Sequence, residues 1–99
     1  MSVFMINSFE VPAGHADEFI AAWQPAADFL ATRPGYVSTR LHRGLATDAG
    51  LRMVNVAEWA AAEQCQAAVT SAEFRSMAGR LAGYPSSPGF YSMAYEHHA

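Results

Sequence analysis

One cysteine, six basic residues and no long apolar run are all this chain offers of three common resources, and each scarcity removes a class of function. With Cys65 alone, no internal disulfide forms and no second thiol is available for a metal site, which suits a reducing, cytoplasmic compartment. Six Lys and Arg against nine Asp and Glu leave a net charge of −3, and the basic residues form no run. Nucleic acid and anionic membrane surfaces are therefore poor partners. No Lys or Arg precedes the first apolar residues, and Asn7, Ser8 and Glu10 interrupt them early, so neither a signal peptide nor a membrane span is expected. The glycines form no dinucleotide-binding fingerprint, and no flavin site or metal cluster can be read, so no cofactor is expected.

What is present is apolar surface. At 99 residues the chain is long enough for a single domain, 1–99, and its apolar fraction of 52% is slightly high for so small a unit. That excess favours burial through self-association.

The chain is organised around Leu51–Arg75. LRMVNVAEW alternates with the period of a strand, so Leu51, Met53, Asn55, Ala57 and Trp59 share one face and Arg52, Val54, Val56 and Glu58 the other. Asn55 is the odd member of its face. Buried among Met, Ala and Trp, an amide must find partners or lose about 1–3 kcal/mol. Trp59 adds one N–H donor on a large apolar body, and Arg75 would bring a permanent positive charge towards the same region. A mostly apolar wall with a few placed donors is what a pocket for a flat, partly polar molecule requires. Taken singly, these residues have plainer readings: a strand-ending Trp is ordinarily core, a mid-strand Asn can serve a bulge, and an Arg on a short helix is usually solvated.

The rest of the chain supplies the frame. Ser2–Val11 reads as a strand, apolar on both faces near its start, with Asn7 placing a second amide beside Met5 and Phe9. Helical spacing of Phe19, Ile20, Trp23, Ala27 and Leu30 predicts a helix over 15–32, kinked at Pro25. Tyr36–Arg43 alternates as a second strand, with Tyr36, Ser38, Arg40 and His42 on one side and Val37, Thr39 and Leu41 on the other. A polar turn, Gly44–Gly50, makes a hairpin with the next strand. A helix of small residues follows over 60–69, and Thr70 with Glu73 has the spacing of a capping box that starts another. Gly83–Gly89 reads as a loop and Phe90–Glu96 as the last strand.

Strand, helix, strand, strand, broken helix, strand is the ferredoxin-like βαββαβ order: an α+β fold with helices on one face of a four-stranded antiparallel sheet. The strands carry more apolar side chains than that one face holds, among them Phe4, Ile6, Val37, Leu41, Val54, Val56, Tyr91 and Met93. Two sheets stacked face to face in a symmetric homodimer would cover the surplus.

Four stretches, MINSFEVPAGHADEFIAAW, PGYVSTRLHR, VNVAEW and SAEF, resemble the antibiotic biosynthesis monooxygenase family, whose members are dimeric α+β barrels. In its cofactor-free, quinone-forming branch the pocket holds an Asn and a Trp from the NxxxW strand, then a Tyr and an Arg from the helices that follow. The resemblance implies those roles for Asn55, Trp59 and Arg75, and puts Cys65 where the Tyr stands. Asn7, Met53 and His42 are further candidates for the substrate-binding wall, although a strand His is more often structural; His15, His97 and His98 look peripheral. In the haem-degrading branch Asn7 matches, but Ala68 and Ala78 occupy the Trp and His positions, which leaves iron without its histidine. The implied activity is cofactor-independent oxidation of a polycyclic aromatic or quinol-like substrate by molecular oxygen to a quinone. The alternative is a non-catalytic, small-molecule-binding or stress-associated dimer on the same fold.

Overall fold

The computed structural model describes residues 1–45 and 51–99. Its elements are β1 (Val3–Val11), α1 (Ala16–Leu30), β2 (Tyr36–Arg43), β3 (Leu51–Trp59), α2 (Ala62–Val69), α3 (Ala72–Ala78) with a 3-10 turn at Gly79–Leu81, and β4 (Ser86–Ser92). The strands form one sheet in the order β2-β3-β1-β4, antiparallel at every junction. This is the expected ferredoxin-like α+β arrangement. Among the described residues no helix is long and apolar enough to cross a membrane.

Burial along β3 alternates without a break: Met53, Asn55, Ala57 and Trp59 are buried and the residues between them are not. On β1, Met5, Phe9 and Val11 are buried in the same phase. The register sets Phe9 opposite Met53, Asn7 opposite Asn55 and Met5 opposite Ala57, so both strands turn these side chains towards the helices. Phe19, Ala26 and Leu30 are the buried positions of α1 that meet them. The opposite face carries Phe4, Ile6, Val54, Val56 and Tyr91, with none of the described helices over it.

Pro25 does not split α1, which runs from Ala16 to Leu30 as one helix. The carbonyl that the missing N–H leaves free belongs to Ala21, an exposed residue, so water can meet it. Gly35 is required where it stands. Its φ is +86°, and a Cβ would run into the side chain of Gln64 on α2. That close approach, with the bond from Ala60 N–H to the Gly35 carbonyl at 2.7 Å, holds the end of β3 and the start of α2 against the turn before β2.

Four details differ from the expectations. The last strand is Ser86–Ser92, not Phe90–Glu96, so most of the expected loop is strand. Pro88 is tolerated because β4 is an edge strand bonded only to β1, and the Tyr91 ring lies across Gly89 on the open face. The N-cap of α3 is Ser71, whose Oγ accepts from the Phe74 N–H at 3.2 Å. Thr70 cannot cap, since its backbone still ends α2 in helical geometry and its hydroxyl donates to the Gln66 carbonyl at 2.7 Å. The helix expected from 60 begins at Ala62, after an extended Ala61. Most of the expected Gly44–Gly50 turn lies outside the described residues, but β2 and β3 on either side of it pair as the hairpin requires.

The fourth difference is a bulge in β2 between Tyr36 and Ser38. It reverses the alternation, so Tyr36, Thr39 and Leu41 all face the helices, opposite Trp59, Ala57 and Asn55, while Ser38, Arg40 and His42 face the open side.

Candidate functional site

The helix-covered side of the sheet is divided into two apolar clusters. One gathers Met5, Leu30, Ala57, Trp59, Cys65 and Ala68, with Tyr36, Phe29 and Phe74 against it. The other gathers Phe9, Val11, Phe19 and Met53, with Trp23, Leu41 and Tyr84. Asn7 and Asn55 lie opposite each other across β1 and β3, between the two clusters. Along α1 the stripe runs Phe19, Trp23, Ala26, Leu30, so a small side chain, Ala26, occupies the stretch of helix between them.

This seam is where polar atoms go without partners. Asn7 Oδ1, Asn55 Oδ1, Thr39 Oγ1 and Trp59 Nε1 are each buried and unbonded, and Gln64 Oε1 is a fifth such atom, over Gly35. Asn55 is 4% exposed and Trp59 fully buried. A desolvated polar group without a partner costs about 1–3 kcal/mol, so folded proteins carry few of them. Four such atoms on one face, among the described residues, make this seam the candidate binding site. The free atom of each Asn is its carbonyl oxygen, which accepts a hydrogen bond. As placed, Asn55 would hold a hydroxyl of a bound molecule and Trp59 would donate to a neighbouring oxygen. A half-turn of the Asn55 amide would present its NH2 instead.

The other sequence-derived candidates are distributed more widely. Met53 stands two residues before Asn55 on the same face, fully buried in the second cluster. Cys65 is buried in the first cluster with its thiol 3.8 Å from Met5 Sδ, and burial pushes its pKa up from 9.0 to about 11. It is a small hydrophobe here, not a nucleophile. The thiol should therefore resist Ellman's reagent in the folded protein. Below pH 9 both the folded and the unfolded thiol are protonated and contribute no pH dependence. Between pH 9 and about 11 the unfolded thiol ionises first, so stability falls as pH rises through that window. Urea titrations at stepped pH, compared with Cys65→Ala, would show that fall in the parent protein and less of it in the variant.

Arg75 is exposed on α3, the helix that Phe74 anchors to the first cluster. His42 is separated from the seam: the bulge turns it to the open face, exposed, with Nδ1 3.3 Å from the Val54 carbonyl. Ala68 is buried in the first cluster and Ala78 is half-buried at the end of α3. His15 pairs with Glu18, and His98 with Glu96, on the surface.

Sequence reasoning passed over Thr39 and Gln64. Simple alternation puts Thr39 on the face opposite Tyr36, and nothing in YVSTRLHR announces the bulge that brings both to the helix side. Gln64 reads as a polar position on a helix of small residues. Only the adjacent Gly35, with its need for close approach, carries a hint of it.

Comparison with known proteins agrees with this architecture. Residues 2–80 match the antibiotic biosynthesis monooxygenase family. No curated protein matches the sequence significantly. Among solved structures, SnoaB, a cofactor-independent oxygenase from Streptomyces nogalater, is 27% identical with a TM-score of 0.84, over 96% of this chain and 95% of that one. A candidate monooxygenase from Shewanella loihica PV-4 is 31% identical with a TM-score of 0.77, over 96% of each chain. A protein from Bordetella bronchiseptica, 19% identical with a TM-score of 0.77 over 95% of this chain and 98% of that one, shares the fold. With four-fifths of its length matched and a like fold throughout, the chain belongs to the antibiotic biosynthesis monooxygenase family.

Proposed function

We propose that this protein is a cofactor-independent monooxygenase that oxidises a polycyclic aromatic or quinol-like substrate with molecular oxygen to a quinone. The observation that carries the reading is the pair Asn55 and Trp59, buried in apolar surroundings on the helix-covered face with Oδ1 and Nε1 unpartnered. Similarity to SnoaB, a cofactor-independent oxygenase, supports the same class of reaction.

Such a substrate acts as its own reductant. For an anthrone the balance is one substrate and one oxygen molecule giving one quinone and one water. The substrate loses a proton to solvent, its carbanion–enolate passes an electron to oxygen, and the radical pair combines at carbon. The resulting peroxide loses water as the carbonyl forms. The chain's share is to bind, orient and favour the anion in a dry site. Trp59 donates to the oxygen on which negative charge develops. Asn55 holds a substrate hydroxyl or, with its amide turned, adds a second donor, and Asn7 across the strand pair fixes the other edge of the ring system. Arg75, on the exposed side of α3, favours the anionic form by its charge.

The protein would act in the cytoplasm as a homodimer, its two open sheet faces stacked through Phe4, Ile6, Val54 and Val56. The apolar and uncovered state of that face supports this. Light scattering should give twice the 10.7 kDa chain mass at micromolar concentration, and a single species of monomer mass would refute the assembly. The activity is tested by following quinone formation from hydroxyanthrone and dihydroxynaphthalene probes under air, with and without the protein. Rates no faster than the buffer's would count against the reading.

A further inference from the structure

We infer that Thr39 is a ligand-contacting residue of this site, holding a hydroxyl or carbonyl on the edge of the bound molecule nearest β2. The inference rests on the functional reading above and extends it to a strand that the Asn and Trp positions leave out. Two observations carry it. The Thr39 Oγ1 is buried and has no hydrogen-bond partner, like Asn7 Oδ1, Asn55 Oδ1 and Trp59 Nε1. Its placement beside them depends on the bulge between Tyr36 and Ser38. Without that bulge, Tyr36 facing the helices would put Thr39 on the open side, away from the seam. With it, Thr39 pairs with Ala57, the residue between Asn55 and Trp59 on the same face of β3.

Ala57 is fully buried and its side chain is a single methyl, so the floor between the amide and the indole is low. The hydroxyl of Thr39 stands beside that floor on β2, and Met5 is opposite it on β1. A strand threonine usually bonds to backbone or water. One whose hydroxyl is shut off from both, at a bulge that re-aims it, is placed for a ligand. Its chemistry also complements the seam. Both Asn carbonyl oxygens accept and Trp59 donates, whereas a hydroxyl does either. Thr39 can therefore follow a substrate oxygen from phenol to quinone, giving a bond first as acceptor and then as donor.

Thr39→Val tests this because valine has nearly the same shape and lacks the hydroxyl, while Thr39→Ser keeps it. Binding would be read by quenching of intrinsic tryptophan fluorescence under nitrogen, with 1,8-dihydroxyanthrone and with anthracene, which has no oxygen. The valine variant should bind the hydroxylated probe about 3–10-fold more weakly, the span of one neutral hydrogen bond, with anthracene unaffected. Serine should restore most of the difference. The melting temperature of the valine variant should be equal to the parent's or higher, since an unpartnered hydroxyl has been removed. Equal affinity of parent and valine variant for the hydroxylated probe overturns the assignment and leaves the functional reading standing, as does a loss shared equally by both probes. A parent protein that binds neither probe overturns the functional reading and the assignment with it.

Discussion

Trp59→Phe should slow turnover of a hydroxyanthrone by about 10²–10³-fold, the usual cost of removing one donor that faces developing charge. Stability should change little, because two effects oppose each other. The smaller ring leaves a void in a fully buried position and weakens the edge-on contact with Tyr36, whose ring centroid is 5.6 Å away. The same change removes a buried N–H with no partner, which relieves about 1–3 kcal/mol. A residue serving only the core would behave in the opposite way, with a clear drop in melting temperature and undiminished activity per folded molecule. Thermal melts and initial rates on one preparation separate the two.

Asn55→Ala should have an effect of similar size on turnover, about 10²–10³-fold. Asn55 is 4% exposed and lies between the apolar clusters, so a plain structural role would require its amide to bond to the chain. Its carbonyl oxygen does not. Deleting the amide therefore relieves a desolvated acceptor while opening a small void, and the melting temperature should stay within a few degrees of the parent's. Substrate affinity should weaken along with kcat, since the amide contacts the molecule before as well as during reaction. A fall in stability with turnover intact would make Asn55 a core residue.

The legible part of this protein is the part set by period. The alternation in LRMVNVAEW placed Met53, Asn55, Ala57 and Trp59 on one face, and the burial along β3 follows it. It works because β3 is a central strand with helices on one side only, so the register has a strong apolar preference. The face of Asn7 followed in the same way. What was not legible depended on departures from period. The bulge in β2 brings Thr39 to the seam and turns His42 away from it, and the alternation of YVSTRLHR does not announce it. PSSPG has the composition of a loop, so composition starts the last strand at Phe90 where the structure starts β4 at Ser86. At a sheet edge, with only β1 to satisfy, such residues can pair as strand. Thr70 has the spacing of a cap, yet it closes α2 in helical geometry, and the cap of α3 falls to Ser71. The resemblance to known monooxygenases singles out Asn55 and Trp59 by position, whereas the unpartnered state of their polar atoms comes only with the fold.

The proposed function requires that oxygen from the air enter the substrate at this seam with no cofactor taking part. Mass spectrometry of the quinone formed from an anthrone under oxygen-18 gas, using protein stripped by chelator and dialysis, tests it most directly. One labelled oxygen atom per quinone is the predicted result, formed faster than in buffer and lost in rate with Trp59→Phe. A quinone whose new oxygen comes from water, or one formed at the same rate by the parent and the Trp59→Phe protein, would contradict it.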